Sequence, residues 1–172
     1  TIIIGNQEWM AENLKVTHYN NGDEIPSGYS SNEWSNLTSG AYSVYNDDPS
    51  YIEIYGYLYN WYAVDEIRSI APEGWHIPSD EEWIELEMYL GMSQIEAENP
   101  GWRGIDQGGK LKEQGTLHWN SPNEGATNES NFTALPGAKR QHNTGYYNGI
   151  GDGGYFWSAT NTPYNDNLSW YR

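Results

Sequence analysis

Turn-forming residues interrupt this chain so often that regular structure is predicted in only a few short segments. Gly, Asn, Ser, Asp and Pro crowd residues 19–51, as in Asn46-Asp47-Asp48-Pro49-Ser50. Beyond Asn99, short apolar pieces alternate with turns such as Gly108-Gly109. These residue types favour turns because they accept positive φ or bond their own backbone. The pattern predicts an α+β fold that is rich in loops, with small antiparallel sheets.

A β-hairpin is predicted at the start of the chain. The β-branched run Ile2 to Ile4 meets the pair Gly5-Asn6, which tolerates a tight turn, and Glu8-Trp9-Met10 follows. A β-branched run beside such a pair is typical of two short paired strands.

Two helices are predicted from apolar spacing. Leu58, Trp61, Tyr62 and Asp65 fall on one stripe of a helix. The second helix has a capping box, in which the Ser79 hydroxyl accepts from the Glu82 amide and the Glu82 carboxylate reaches back. The residues that continue this helix form a buried stripe and a glycine stop: Trp83, Leu86, Leu90 and Gly91.

The chain is predicted to form a single domain over residues 1–172. This length buries enough surface for a core without disulfides or metals, and no internal repeat or linker divides it. Its large side chains are mostly Trp (9) and Tyr (15), with only 2 Phe, so most of them combine an apolar body with a polar group. Such side chains suit both half-wet cores and binding faces.

Charge and composition exclude several classes of partner. The net charge of −16 repels nucleic acid and anionic membrane surfaces. No stretch approaches the ~20 apolar residues of a membrane span. The absence of cysteine excludes disulfides, thiolate metal sites and cysteine nucleophiles.

The groups that catalysis needs are not grouped along the sequence, so a non-catalytic protein is predicted. No histidine has a second His or Cys at metal-ligand spacing, and no Gly-x-Ser-x-Gly elbow occurs. Paired carboxylates are plentiful, but sequence does not set the separation that a glycosidase needs. The four histidines are His18, His76, His118 and His142.

A calcium site is one interpretation of residues 123–131. This segment supplies amide and carboxylate oxygens, which are the hard ligands that calcium prefers, although it lacks the EF-hand pattern. The other interpretation is an asparagine-rich loop that bonds its own backbone. The candidate ligands are Asn123, Glu124, Asn128 and Glu129.

A ligand-binding face is predicted near the end of the chain, where aromatics alternate with Asn, Asp and Ser over residues 155–171. Rigid aromatic platforms beside short hydrogen-bonding groups are typical of adaptable binding faces and suit sugars. An ordinary aromatic strand followed by a loop is the alternative. The candidate binding residues are Trp157, Asn161, Tyr164, Asn165, Asp166, Asn167, Trp170 and Tyr171.

Several phrases resemble one bacterial family, the Fibrobacter succinogenes major paralogous domain. The matching phrases lie in order along nearly the whole chain and include Ile4-Gly5-Asn6-Gln7-Glu8-Trp9-Met10-Ala11-Glu12-Asn13-Leu14, Leu58-Tyr59-Asn60-Trp61-Tyr62-Ala63-Val64 and Ala71-Pro72-Glu73-Gly74-Trp75-His76-Ile77-Pro78-Ser79-Asp80-Glu81-Glu82-Trp83. The resemblance implies an extracellular or cell-surface setting and no defined activity. Family members usually continue past the segment that matches Trp170-Tyr171-Arg172, so a closing segment is expected to be missing or supplied by another chain.

The segment from Gly74 to Trp83 is also similar to the helix start of formylglycine-generating-enzyme-like domains. This similarity implies a C-type-lectin-like fold with two helices, and it concerns fold alone. Copper-type formylglycine-generating catalysts use a cysteine pair that this chain lacks, so their activity is not carried over.

Two functions from different classes remain open at this point. The first is a non-catalytic extracellular module that binds a glycan or a surface protein, adhesive in role, with calcium as its one candidate cofactor. The second is a structural subunit that assembles into a homo-oligomer or surface filament through its open chain ends. A polysaccharide-active enzyme ranks third.

Overall fold

A computed structural model describes residues 1–162 and 165–172, without the side chains of 165–170. The strands are β1 (Ile2–Ile4), β2 (Gln7–Trp9), β3 (Tyr42–Ser43), β4 (Leu58–Tyr59), β5 (Gly137–Arg140), β6 (Tyr147–Ile150), β7 (Trp157–Thr162) and β8 (Asn165–Tyr171). The helices are α1 (Ser31–Trp34), α2 (Ile52–Tyr55), α3 (Trp61–Val64), α4 (Asp80–Tyr89), α5 (Gln94–Ala97) and α6 (Gln107–Leu111).

The strands form small antiparallel pairs, β1 with β2, β3 with β4, β5 with β6, and β7 with β8. The predicted loop-rich α+β class is therefore confirmed, whereas the predicted number of two helices is wrong, because the described residues contain six. The C-type-lectin-like relationship stays a prediction. The longest helix in the described part of the chain has ten residues, about half of what a bilayer crossing requires.

The predicted N-terminal hairpin is confirmed. Its strands pair Ile2 with Trp9 and Ile4 with Gln7, and Gly5 has a φ of 61° in the turn between them. Ile4 is buried and Ile3 is exposed, as the alternation of a strand with one covered face requires. The hairpin thereby turns Ile4 and Trp9 towards helix α4.

Helix α4 begins and ends as its sequence predicts. The Ser79 hydroxyl accepts from the Glu82 amide at 3.2 Å, and the Glu82 carboxylate accepts from the Ser79 amide at 2.7 Å. Trp83 and Leu86 are buried, and Gly91 has a φ of 102° directly after the helix. The buried face of helix α4 packs against the N-terminal hairpin and contributes Trp83 and Leu86 to the core.

The helix predicted from Leu58 to Asp65 is wrong in its first half. Leu58 lies in β4, and helix α3 begins only at Trp61. The reason is Asn60, whose side-chain oxygen accepts from the Ala63 and Ala41 amides at 3.0 Å each. An asparagine that caps a helix has extended backbone, so the residues before it are free to pair as a strand.

Two hydrophobic clusters form the core and meet at Trp157. One contains Trp61, and the other contains Trp83. The Trp157 ring packs against Trp61 with centroids 5.8 Å apart, and its carbonyl accepts from the Trp83 indole at 3.2 Å. Strand β7 therefore links the two halves of the core.

A buried ion network ties helix α4 to the end of the chain. Glu87, with only 7% of its surface exposed, accepts from Arg103 Nη2 at 2.8 Å through one oxygen and from Arg172 Nε at 2.8 Å through the other. Arg172 also binds Asp80. Two carboxylates, Glu87 and Asp80, thus balance the charges of two guanidinium groups that come from distant parts of the sequence.

Candidate functional site

A concave pocket with a volume of about 1280 Å³ is lined by both core residues and partly exposed residues. Residues from both ends and the middle of the chain line it. We call this feature the groove and define it by its accessible aromatic rings, which are Trp9, Tyr57, Tyr62, Trp75, Tyr155 and Tyr171. Single small-molecule pockets measure roughly 300–1,000 Å³, so the groove suits an extended ligand.

The inner wall of the groove is rigid because its polar groups are already paired. The Trp157 indole donates to the Tyr59 carbonyl at 2.9 Å, and the Tyr59 hydroxyl donates to the Val16 carbonyl at 2.7 Å. Burial raises the pKa of the Tyr59 hydroxyl, so it stays a neutral donor. These bonds fix ring faces in place before any ligand arrives.

Trp75 lies in the groove, and few interactions hold its indole ring in place. It follows Gly74, whose φ is 84°, in a turn closed by a bond from the Trp75 amide to the Pro72 carbonyl at 2.9 Å. Within the described residues its ring is half-buried, packs on no other aromatic ring and donates no indole hydrogen bond. Both the ring face and the N–H group are available to a ligand.

Tyr57 offers a second platform. Its ring packs against Tyr42 with centroids 4.6 Å apart, which fixes its orientation. Burial raises the pKa of the Tyr57 hydroxyl, and the charges of Tyr42 and Glu53 act in the same direction. The hydroxyl therefore remains protonated and can donate to a ligand oxygen.

His76 and Glu82 lie beside Trp75 in the lining of the groove, with His76 Nε2 2.7 Å from Glu82 Oε1. Burial acts to raise the pKa of the Glu82 carboxyl, but bonds from the Ser79 amide and from His76 outweigh it and hold that pKa below its usual range. One carboxylate thus caps helix α4 and orients a histidine beside Trp75.

This lowered pKa predicts a pH dependence of stability. The unfolded pKa of glutamate is about 4.3, so ionised Glu82 stabilises the fold above that pH, and the stability is lost as the pH falls through the lower folded value. We expect the urea midpoint of the native protein to drop over this window and that of Glu82→Gln to drop less. Glu81→Gln, at an exposed neighbour, is the control; an equal slope in all three proteins would contradict the assignment.

The far end of the groove has a cationic group beside two phenol rings. Lys139 Nζ lies 4.5 Å from the centre of the Tyr155 ring, and the Tyr171 ring lies 5.9 Å from Tyr155 on centroids. Within the described residues Lys139 has no carboxylate within 4.0 Å. This end therefore combines stacking surface with one uncompensated charge.

A family model described as the Fibrobacter succinogenes major domain matches residues 2–172, which decides the relationship. This chain belongs to the Fibrobacter succinogenes major domain family. The resemblance seen in the ordered phrases of the sequence is thereby confirmed. Comparison with curated proteins and with solved structures found no significant match.

In this family member, the predicted binding face is only partly described. Trp157 is half-buried and lines the groove, although its indole N–H is already bonded. Asn161 is exposed on β7, and Tyr171 is half-exposed beside Tyr155. Tyr164 lies outside the described residues, as do the side chains of Asn165, Asp166, Asn167 and Trp170.

The four predicted calcium ligands lie in loop residues, where the two asparagine side chains are already hydrogen-bonded. The Asn128 side-chain oxygen accepts from the Thr133 backbone amide at 2.8 Å, which closes the loop between them. The Asn123 side-chain amide donates to the carbonyls of Glu113 and Gly115. The Glu124 and Glu129 residues are exposed. No group of three or more acidic or histidine side chains gathers within the described residues, and calcium stays a prediction.

Sequence reasoning missed Trp75 and Tyr57 as groove residues. Trp75 lies within one family phrase and Tyr57 directly precedes another, but membership of such a phrase does not distinguish a groove ring from a core ring. The distinguishing signal was Gly74, because a glycine at positive φ before Trp75 marks a turn that turns the indole outward.

Proposed function

We propose that this domain is a non-catalytic extracellular binding module and that its groove binds a carbohydrate chain. The observation that carries this proposal is the set of partly exposed Trp and Tyr rings that line a groove of about 1280 Å³. A sugar ring has an apolar face that stacks on Trp or Tyr and a rim of hydroxyls that bonds to nearby polar groups. The size of the groove favours several consecutive sugar rings over one small molecule.

The polar groups of the groove support binding rather than turnover. The Glu82 oxygens already accept from His76 and Ser79, and the Tyr59 hydroxyl already donates to a carbonyl. These hydrogen bonds lie within the protein, and they hold the surface of the groove in one arrangement. The extracellular setting and a calcium ion in the 123–131 loop belong to the same proposal.

Screening against a glycan array, with and without a calcium chelator, followed by calorimetry on the best ligand, tests the proposal. We expect Trp75→Ala to weaken binding by about 30-fold, or 2 kcal/mol, because buried indoles are the usual energetic centres of an interface. Trp102→Ala, which removes an equally large ring outside the groove, should leave the affinity unchanged. Equal affinities of the native protein and Trp75→Ala would refute the groove as the site.

A further inference from the structure

The end of the asparagine-rich loop carries a motif that the binding proposal does not use. Asn131-Phe132-Thr133 has the form Asn-x-Thr, which is an acceptor sequence for N-linked glycans in exported proteins. Bacterial oligosaccharyltransferases also require an acidic residue two positions before the asparagine, and Glu129 occupies that position. The other Asn-x-Ser or Asn-x-Thr triplets of the chain lack an acidic residue at this spacing, and they begin at Asn36, Asn128 and Asn167.

The side chain of Asn131 is exposed and has no bond to the rest of the fold. Its backbone amide donates to the Asn128 carbonyl at 2.9 Å, so Asn131 ends a tight turn. Its φ of 59° lies in the left-handed region, which asparagine enters more readily than most residues. Within the described part of the chain, its side-chain amide forms no hydrogen bond. The Nδ2 group can therefore react without breaking a bond of the fold.

The asparagines of two other triplets are already hydrogen-bonded. Asn128 Nδ2 donates to Thr133 Oγ1 at 3.0 Å, and the Asn128 side-chain oxygen accepts from the Thr133 amide at 2.8 Å. Asn36 Nδ2 donates to the Asn32 carbonyl at 2.7 Å. Each of these amides would have to give up its bond before it reacts. Hydrogen bonding therefore singles out Asn131 independently of the acidic residue that precedes it.

The two residues that a transferase would recognise beside Asn131 are accessible as well. Glu129 and Thr133 are both exposed. Thr133 Oγ1 donates to the Asn131 carbonyl at 3.3 Å, which is longer than the roughly 2.5–3.0 Å of a typical O–H···O bond and easily exchanged for another partner. Asn131 is not among the residues that line the groove. A modification here and a ligand in the groove are therefore separate events.

We propose that Asn131 is the acceptor of an N-linked glycan. The donor is a lipid-pyrophosphate-linked oligosaccharide, and a membrane-bound oligosaccharyltransferase supplies the catalysis. Asn131 Nδ2 bonds to the anomeric carbon of the first sugar as the bond from that carbon to the pyrophosphate oxygen breaks. The electron pair leaves with the lipid pyrophosphate, and one Nδ2 proton passes to a base of the transferase. The modification rests on the extracellular setting of the proposed function, because this transfer follows export, but it requires no ligand in the groove.

Export of the full chain to the periplasm of a bacterial host that carries such a transferase and its lipid-linked oligosaccharide tests the proposal. The intact mass of the purified protein should rise by the mass of one oligosaccharide. Peptide mapping by mass spectrometry should place this addition on Asn131. The same host without the transferase should yield protein of unchanged mass.

Three variants identify the site and its recognition. Asn131→Gln should lose the added mass completely, and Glu129→Gln should lose most of it because the acidic requirement is no longer met. Asn36→Gln removes an exposed asparagine from a triplet without that acidic residue and is the matched control, so it should be modified like the native chain. Native protein of unchanged mass, undiminished modification of Glu129→Gln, or attachment at another asparagine would overturn the proposal.

Two features of this experiment keep its outcomes distinct. Circular dichroism checks the fold of each variant, and the mapping on the native chain decides the site even if a variant misfolds. The host supplies the export, so an unmodified chain reports on the Asn131 loop and not on the extracellular setting. Modification of a chain that binds no glycan in the array would refute groove binding alone, whereas array binding by a chain that is never modified would refute this proposal alone.

Discussion

Glu87→Gln should lower the free energy of unfolding by about 3–5 kcal/mol, since it leaves the buried Arg103 guanidinium without its carboxylate partner and leaves Arg172 paired with Asp80 alone. Glu87 holds Arg103 through one oxygen and Arg172 through the other, and all three side chains are nearly inaccessible to water. For a domain of this length, the loss corresponds to a drop in melting temperature of about 6–20 °C. Urea and thermal unfolding measure both quantities.

Glu85→Gln is the matched control, because Glu85 lies on the same helix and is exposed. It should change the free energy of unfolding by less than about 0.5 kcal/mol. If Glu87→Gln is equally mild, the network is not a determinant of stability, and the account of how the end of the chain is held to α4 is wrong.

Trp83→Ala should cost about 3–5 kcal/mol, the usual range when a large aromatic side chain is removed from a core. Its ring packs against Trp9 with centroids 4.7 Å apart and against Phe156 at 6.0 Å, and its indole donates to Trp157. The change leaves a cavity between the N-terminal hairpin and β7. Unfolding in urea and calorimetry report the loss.

Trp83→Phe separates the ring from the hydrogen bond. It keeps most of the packing and leaves the buried Trp157 carbonyl without this donor, so a loss of about 1–3 kcal/mol is expected. A loss equal to that of Trp83→Ala would mean that the hydrogen bond, and not packing, dominates at this site.

Helix α4 could be predicted from sequence because its signals are local. The capping box of Ser79 and Glu82, the buried Trp83 and Leu86, and the stop at Gly91 all act within a few residues. A similar box was overlooked at α1, where Ser30 and Glu33 cap each other within a segment dominated by loop residues. This capping box is hard to recognise in the sequence because loop-forming residues surround it.

The segment before α3 shows where local signals fail. Leu58, Trp61 and Tyr62 fit a helical stripe, but the Asn60 side chain also accepts from the amide of Ala41, which lies nineteen residues earlier. Tertiary pairing of β4 with β3 then fixed Leu58 as a strand residue. Such pairing depends on residues far away in the chain and leaves no periodic pattern.

The candidate site was only partly predictable for the same reason. Aromatic and amide residues near the end of the chain drew attention to Trp157 and Tyr171, and both line the groove. Trp75 and Tyr57 join them only through the fold. The ion network is still less visible, because Glu87, Arg103 and Arg172 have no recognisable spacing in sequence.

An NMR spectrum of the indole N–H groups in ¹⁵N-labelled protein most directly tests the central claim that the groove is the binding surface. The chain has nine tryptophans, so each indole is a separate probe. With the best glycan from the array at saturation, and protein dilute enough to be monomeric, the Trp75 signal should shift strongly while those of buried Trp119 and exposed Trp102 stay in place. An unmoved Trp75 signal, with the shift at Trp102 instead, would contradict the account.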